Sequence, residues 1–352
     1  MPRITSSILT DFSTDLFKAA DVPPGEARVV AESLVSANLK GHDSHGVARL
    51  HGYIKLVREG LVIPGAKLRV KHETASAVVA DGALGFGQVQ MVALIDRLLP
   101  KAREQGIACG TMQNCGHVGR LCEWVERAAR EGVASLLATN DNGVLKCVAP
   151  PGGTRPTIST NPVAIGVPTG DGILAVDIST SVVANGKVQV ALSSKQQCPP
   201  GWLLDSEGQP TTDPAVRFTD PRGSILPLGG EDHGYKGFGL GLLFDMLVGG
   251  LTGGFCPPDP EGAPLTNNVL MVAWDPEKFF GQEHFVAQVD ELIEFARSSP
   301  RKAGVEAIRL PGDRSESTEQ QRLADGIPID DGTWEALIET AGALGVAPPA
   351  GG

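Results

Sequence analysis

Residues 107–138 read IACGTMQNCGHVGRLCEWVERAAREGVASLLA, and the fold class turns on them. Ile107 to Met112 has strand character. Asn114-Cys115-Gly116-His117-Val118-Gly119 is a polar joint broken by glycines. A helix follows to Glu131, and Val133 to Ala138 is a second strand. Strand, helix and strand in succession build an α/β layer architecture.

Working outward, Leu68 to Val70 and Ala75 to Ala80 read as strands. Asp81 to Gly87 is a glycine-rich turn into a helix carrying Val89, Val92, Ile95 and Leu98 and closing at Gly106. Three helices precede these. The first, Thr5 to Ala20, has Ser6 or Ser7 as cap and Ile8, Leu9, Phe12 and Leu16 on one side. The second runs from about Glu26 to Leu39, with Gly41 at its C′ position. The third is capped by Asp43 or Ser44, carries Val47, Leu50, Ile54 and Val57, and ends near Gly60. Downstream, Pro150 to Pro168 holds short strands, and Ile173 to Ile178 is a strand closing at Asp177. Lys195 to Arg222 is turn-rich and exposed. Lys236 to Leu251 is an apolar helix, Asn268 to Trp274 a strand, Glu283 to Arg297 an amphipathic helix and Val305 to Leu310 a strand. After Pro311-Gly312-Asp313 comes a last helical section that includes Trp334 to Leu344, and the tail after Ala347 reads as disordered.

A chain of 352 residues exceeds what one core usually reaches, which favours at least two domains. The expected division is a helical domain from residues 1–65 with 315–352, and an α/β region from 66–314, divisible near 110–230. The 44 glycines and 26 prolines predict many tight turns. A net charge of −11 without any Lys/Arg run argues against nucleic acid and against an anionic membrane surface. The apolar run Gly237 to Phe255 contains Asp245 and many glycines, so a buried helix is expected rather than a membrane span. Six cysteines without CxxC spacing, behind a polar N-terminus, read as reduced thiols in a cytoplasmic protein.

Chemistry-bearing residues gather at two joints. Gly41 to Tyr53 holds three of the seven histidines and one of the two tyrosines. On one continuous helix, His45, Arg49 and Tyr53 share an edge, a turn apart each. They would line a cleft with a proton carrier, a bidentate carboxylate grip and a phenol. Ser44 could orient the His45 imidazole. The plainer alternative makes Ser44 a cap and Arg49 a surface charge. At the second joint His117 is a base or a cofactor contact, or else a packing histidine. Asp177 suits a histidine or a ribose hydroxyl, or merely ends its strand. A metal reading would use His42 and His45 at i, i+3, in a metal-dependent hydrolase, but no third ligand stands at matching spacing. Gly237-Phe238-Gly239-Leu240-Gly241 is not G-x-G-x-x-G and follows no strand. Lys236 at that helix start is a candidate phosphate clamp. The residues alone do not establish a nicotinamide cofactor.

Several motifs in order resemble the type-2 malate/L-lactate dehydrogenase family, which includes ureidoglycolate dehydrogenase, sulfolactate dehydrogenase and Δ1-piperideine-2-carboxylate reductase. They are His42 to Leu50, Gly116 to Gly119, Thr160-Asn161-Pro162, Val176 to Ser181, Gly186-Lys187, Pro210 to Pro214, Tyr235 to Leu240 and Leu310-Pro311-Gly312. The resemblance covers nearly the whole chain. It implies a homodimeric oxidoreductase using NAD or NADP, with a non-Rossmann fold built on a mixed, largely antiparallel sheet. The implied reaction is hydride transfer at C2 of a small 2-hydroxy or 2-oxo acid; the alternative is reduction of a cyclic 2-imino acid such as piperideine-2-carboxylate. A catalytically dead binding protein on the same scaffold is a further alternative. By resemblance Ser44 and His45 form a proton relay with Asp177 as third member, and His117 is the acid/base. Arg49 and Tyr53 face the substrate carboxylate. Asn140, Asp177, Ile178, Ser179, Lys236, Arg309, Gly312 and Arg314 hold the dinucleotide, and no metal is expected. Arg120, Asn185 and the Cys115-Gly116 pair depart from the usual family residues near the expected groove.

Overall fold

The computed structural model describes residues 1–349, so Ala350, Gly351 and Gly352 of the expected disordered tail lie outside the described residues. In chain order the first elements are β1 (Arg3–Ile4), α1 (Ser6–Ala19), α2 (Pro24–Leu39), α3 (Leu50–Arg58), β2 (Arg69–Glu73), β3 (Ala77–Asp81), α4 (Gly87–Gln105) and β4 (Ile107–Cys115). Next come α5 (Leu121–Arg130), β5 (Ala134–Asn140), β6 (Val163–Pro168), β7 (Ile173–Ile178), α6 (Asn185–Ser193), β8 (Leu203–Leu204), β9 (Pro210–Thr211) and β10 (Ser224–Ile225). The last are α7 (Gly230–Thr252), β11 (Asn267–Trp274), α8 (Gln282–Arg297), α9 (Asp313–Asp325), β12 (Ile327–Pro328) and α10 (Asp331–Leu344).

Seven strands form the main sheet in the order β2-β3-β4-β11-β5-β6-β7. Only β3 and β4 pair in parallel; the other neighbours are antiparallel, which is the mixed sheet the resemblance implies. The unit read from residues 107–138 is present but split. Strands β4 and β5 both pair antiparallel with β11, which lies between them. One face of the sheet packs on α4 and α5 through Met91, Leu94, Leu98, Met112, Trp124, Leu137 and Met271. On the other face, Ala138 and Leu270 meet Val248 of α7. The alternation of Leu137 with Ala138 and of Met271 with Leu270 is the two-residue period of a sheet covered on both sides.

A second buried cluster is helical. It joins Leu9, Leu16, Phe17, Leu34, Leu50 and Ile54 near the start of the chain to Ile327 and Leu337 near its end. The short β1–β12 pairing, Arg3 opposite Pro328, ties these ends together. A third cluster packs Cys147, Val148, Ile158, Val188, Leu203 and Ile225.

Several local expectations need correcting. Thr5, not Ser6 or Ser7, is the N-cap of α1, and Ile8 points outward at 43% exposure. The third helix is not continuous: two short 3-10 turns, Asp43–His45 and Val47–Arg49, precede α3. Val305 to Leu310 finds no strand partner and runs as exposed coil. Lys195 to Arg222 is not wholly exposed, because Cys198, Leu203 and Arg217 are buried. Helix α6 was not anticipated. Helix α7 begins six residues before Lys236 and buries a face of mostly small residues, Gly234, Gly237, Gly241, Asp245, Val248, Gly249 and Thr252. Leu240, Leu243, Leu247 and Leu251 point outward, while Leu242 packs on the third cluster. Among the described residues no helix is long and apolar enough to cross a membrane.

Arg120, at the start of α5, is buried with Glu126. Its Nη1 donates to Oε1 at 2.7 Å and its Nη2 to Oε2 at 3.1 Å. Lys40, at the C-cap of α2, lies 3.6 Å from Glu126 and 3.0 Å from Glu319 of α9, so one ion network ties the end of α2 to α5 and α9. Removing one partner strands a buried charge. Glu126→Ala is therefore expected to cost roughly 3 to 5 kcal/mol in urea unfolding. A loss below about 1 kcal/mol, the scale of an exposed pair, contradicts this account of the network.

Candidate active site

The first joint is shaped by Asn38. Its Nδ2 donates to Asp43 Oδ1 at 2.6 Å, and its Oδ1 accepts from Val47 N at 2.8 Å. A Cβ at Gly46 would collide with this side chain, so the chain between the two 3-10 turns must be glycine. Asp43 is therefore not a helix cap; it pairs with the Arg322 guanidinium of α9 through both carboxylate oxygens. His45 and Arg49 consequently leave the common helix edge expected for them, and only Tyr53 lies on α3.

The three side chains still converge, because the second joint comes to meet them. The His45 and His117 rings stack with centroids 5.5 Å apart, and Tyr53 Oη lies 2.7 Å from His117 Nδ1. Ser44 Oγ is 3.1 Å from His45 Nδ1. Arg49 Nε donates to Ser44 O at 2.7 Å, and Arg49 makes no ion pair among the described residues. A Cβ placed on Gly186, at the start of α6, would lie 3.8 Å from Arg49 Nη2. Asn185 beside it keeps a buried Oδ1 without a partner. This cluster thus holds two stacked imidazoles, a phenol and a guanidinium free of carboxylates, with the start of α6 beside it.

Electrostatics keep the imidazoles neutral. Burial, then the Arg49 charge, hold His45 down at about 4 and push His117 well below the ordinary histidine value. Burial lifts the Tyr53 phenol to about 12, so it stays protonated. A neutral imidazole beside a fixed cation can exchange a proton with a substrate whose carboxylate that cation holds.

Other expected residues lie elsewhere. Asp177 is not a third relay member: its Oδ2 accepts from Cys122 N at 3.1 Å at the start of α5, and no hydrogen bond joins it to either histidine. Burial pushes its carboxyl up. The Asn140 side chain is spent internally, donating to Asp245 Oδ1 at 2.7 Å and accepting from Asn268 Nδ2 at 2.9 Å. Ser179 Oγ bonds within its own turn to Ser181, and Ile178 is exposed. Lys236 is not at a helix start; it is an exposed residue in the second turn of α7, whose first turn carries Glu231 and Asp232. The clamp expected there would face two carboxylates. Gly312 lies along edge strand β7, with Ala175 O 3.9 Å from a Cβ built on it. Arg309 and Arg314 are exposed and make no ion pair among the described residues. His42 Nε2 turns to Ser315 Oγ at 3.3 Å, and among the described residues no three His, Cys, Asp or Glu side chains gather as metal ligands. The hydrolase reading gains nothing from this geometry. Gln88, which donates to Tyr53 Oη at 3.2 Å, was missed. Its only sequence signal is a polar residue directly after the glycine-rich turn.

A family model described as malate/L-lactate dehydrogenase matches residues 4–338. The chain is 32% identical over 351 residues to hydroxycarboxylate dehydrogenase B of Escherichia coli, covering 98% of this chain and 95% of that one. Its structure is similar to malate dehydrogenase from Pyrococcus horikoshii, with TM-score 0.89 and 30% identity over 99% of this chain and 97% of that one. It is also similar to Δ1-piperideine-2-carboxylate reductase from Pseudomonas syringae, with TM-score 0.83 and 32% identity over 97% and 100%.

The depressed histidine carries a stability signature. An unfolded histidine titrates near 6.5, whereas folded His45 titrates at about 4. As pH falls from 6.5 to 4 the unfolded chain takes up a proton the folded protein refuses, so this contribution to stability is lost in that window and levels off below it. Asp177 and Glu123, pushed up by burial, act with the opposite sign. The measurement is therefore the difference between wild type and His45→Asn in urea unfolding at pH 7, 5.5 and 4.5. The wild type should lose more stability than the variant on acidification; equal losses would show that His45 titrates normally.

Proposed function

Because the chain belongs to the malate/L-lactate dehydrogenase family and is an oxidoreductase, we propose that it moves a hydride between a nicotinamide dinucleotide and C2 of a small 2-hydroxy or 2-oxo acid. The observation that carries the reading is the convergence of Arg49, Tyr53 and the His45–His117 stack on one groove. Arg49, anchored by the Ser44 carbonyl, grips the substrate carboxylate. His117 handles the proton of the C2 oxygen, and Ser44–His45 closes the other side. The Val47, Leu50 and Ile54 core beneath the joint keeps these groups rigid.

NAD or NADP, when bound, supplies the hydride chemistry. The donor set supports such a group. Arg309 and Arg314 are unpaired cations in a chain of net charge −11 and stand at the turn laid along β7. They suit two phosphates, with Gly312 allowing the close approach and the Asp177–Ser179 strand end suiting a ribose. Lys236 remains a candidate only as an exposed cation. We assign Asn140 to the scaffold. The six free cysteines suit a reducing compartment such as the cytoplasm.

A cyclic 2-imino acid is the second reading, favoured by the likeness to the Pseudomonas syringae reductase. The same groups would then deliver the proton to nitrogen. Mixing the protein with NADH or NADPH and a panel of 2-oxo and cyclic 2-imino acids should give loss of the nicotinamide absorbance with at least one acid. Arg49→Lys, which keeps the charge but not the fork, should lower kcat/KM by about 10- to 100-fold. No turnover with any acid, or an unaffected Arg49→Lys, sinks this reading.

We infer a homodimer from α7. Leu240, Leu243, Leu247 and Leu251 form one outward stripe at 46–59% exposure, an unusually apolar surface for a monomer. Leu243→Glu with Leu247→Glu should convert a dimer into a monomer in light scattering. A wild type already monomeric at micromolar concentration contradicts the inference.

A further inference from the structure

Gln88 is fully buried in the first turn of α4. It reaches the site because Gly87 has no side chain: a Cβ there would strike the carbonyl oxygens of Gly116 and His117. Gln88 Nε2 donates to Tyr53 Oη at 3.2 Å. A phenol oxygen that receives an N–H still has its own hydrogen to give. The acceptor within reach is His117 Nδ1 at 2.7 Å. The backbone N–H of Gly119 also points at that nitrogen, at 3.3 Å.

An amide can be turned end for end, so the direction of the Gln88–Tyr53 bond needs an independent reference. Gly119 provides it. A backbone N–H is always a donor, and Gly119 sits at φ +74°, a conformation that favours glycine and aims this N–H inward. If Gln88 presented its oxygen instead, the Tyr53 hydrogen would turn to Gln88. Nδ1 would then carry a hydrogen directed against the Gly119 N–H. The arrangement without opposed donors has Gln88 N–H to Tyr53, Tyr53 O–H to Nδ1, and Gly119 N–H to Nδ1.

We propose that Gln88 is a positioning residue: by donating to Tyr53 it leaves the Tyr53 hydrogen for Nδ1 at 2.7 Å, and so, together with the longer 3.3 Å contact from Gly119, holds the hydrogen of His117 on Nε2, the ring nitrogen with no partner among the described residues. The proposal rests on the reading of His117 as the group that faces the C2 oxygen. In that role the Nε2–H donates a hydrogen bond to the oxo group and polarises C2 before hydride arrives. Gln88 touches neither substrate nor cofactor.

The test reads the tautomer directly. Protein labelled with 15N-histidine, without cofactor or substrate, is examined by long-range 1H–15N correlation, and His117 is assigned by the signals lost in His117→Asn. The wild type should show a protonated Nε2 and a bare Nδ1. Gln88→Leu, close in volume, should give mixed or reversed protonation of His117. Its kcat for reduction should fall about tenfold, the scale of one hydrogen bond in a transition state, with KM within about twofold. A wild-type His117 protonated on Nδ1 overturns the proposal, as does a Gln88→Leu protein whose His117 nitrogens are unchanged, whatever its activity. Should Gln88→Leu fail to fold, Gln88→Met serves: it too removes the N–H given to Tyr53, and an unmoved His117 hydrogen contradicts the proposal. If the wild-type tautomer is as stated and Gln88→Leu disturbs it, yet no acid is turned over, the positioning stands and the reaction reading falls.

Discussion

The hydrogen bond between Tyr53 and His117, at 2.7 Å, joins the two halves of the site. Tyr53 belongs to the helical cluster built from both ends of the chain. His117 sits on the loop between β4 and α5, above the cluster that packs the sheet. Neither cluster alone presents a reactive groove. The bond is worth only about 1 kcal/mol in stability, but its geometric consequence is larger, because it sets where one imidazole points relative to the other. Glycines make the approach possible. Gly46 clears space for Asn38, and Gly87 lets α4 begin against the His117 carbonyl.

Charge is arranged to match. The chain is strongly acidic, yet the groove has no carboxylate to neutralise Arg49. Acids on the neighbouring elements are engaged: Asp43 by Arg322, Glu123 by the Ser33 hydroxyl, Glu126 by Arg120 and Lys40, and Asp177 by the first amides of α5. An anionic substrate, as proposed, would meet a half-buried cation that the Ser44 carbonyl already holds in place. The same cation, together with burial, keeps His45 and His117 uncharged. One residue thus both attracts the acid and holds the proton carriers in the neutral form that can work on it.

Much of the fold was legible because hydrophobic periodicity is local. Strand β7 was read at its observed bounds, and the helices on either side of Gly106 and Gly132 ended where those glycines allow. The order of the strands was not legible. Strand β11 enters between β4 and β5 from more than a hundred residues further along, and no local pattern announces such a partner. In the site, the crowding of His45, Arg49 and Tyr53 was visible, but their arrangement on one helix was not real. Helical spacing says nothing of Asn38 reaching across to Gly46. Lys236 misled for a related reason: its helix starts six residues earlier than the apolar pattern does. Gln88 left almost no trace, since a buried amide is defined by its partners and not by any period.

A crystal structure of the protein with a nicotinamide dinucleotide and oxamate, a non-reacting mimic of a 2-oxo acid, tests the placement of the reaction centre most directly. The oxamate carboxylate should lie on the Arg49 guanidinium and its carbonyl oxygen within about 3.2 Å of His117 Nε2, with the dinucleotide phosphates beside Arg309 and Arg314. Oxamate bound away from Arg49, with His117 contacting neither ligand, contradicts this placement.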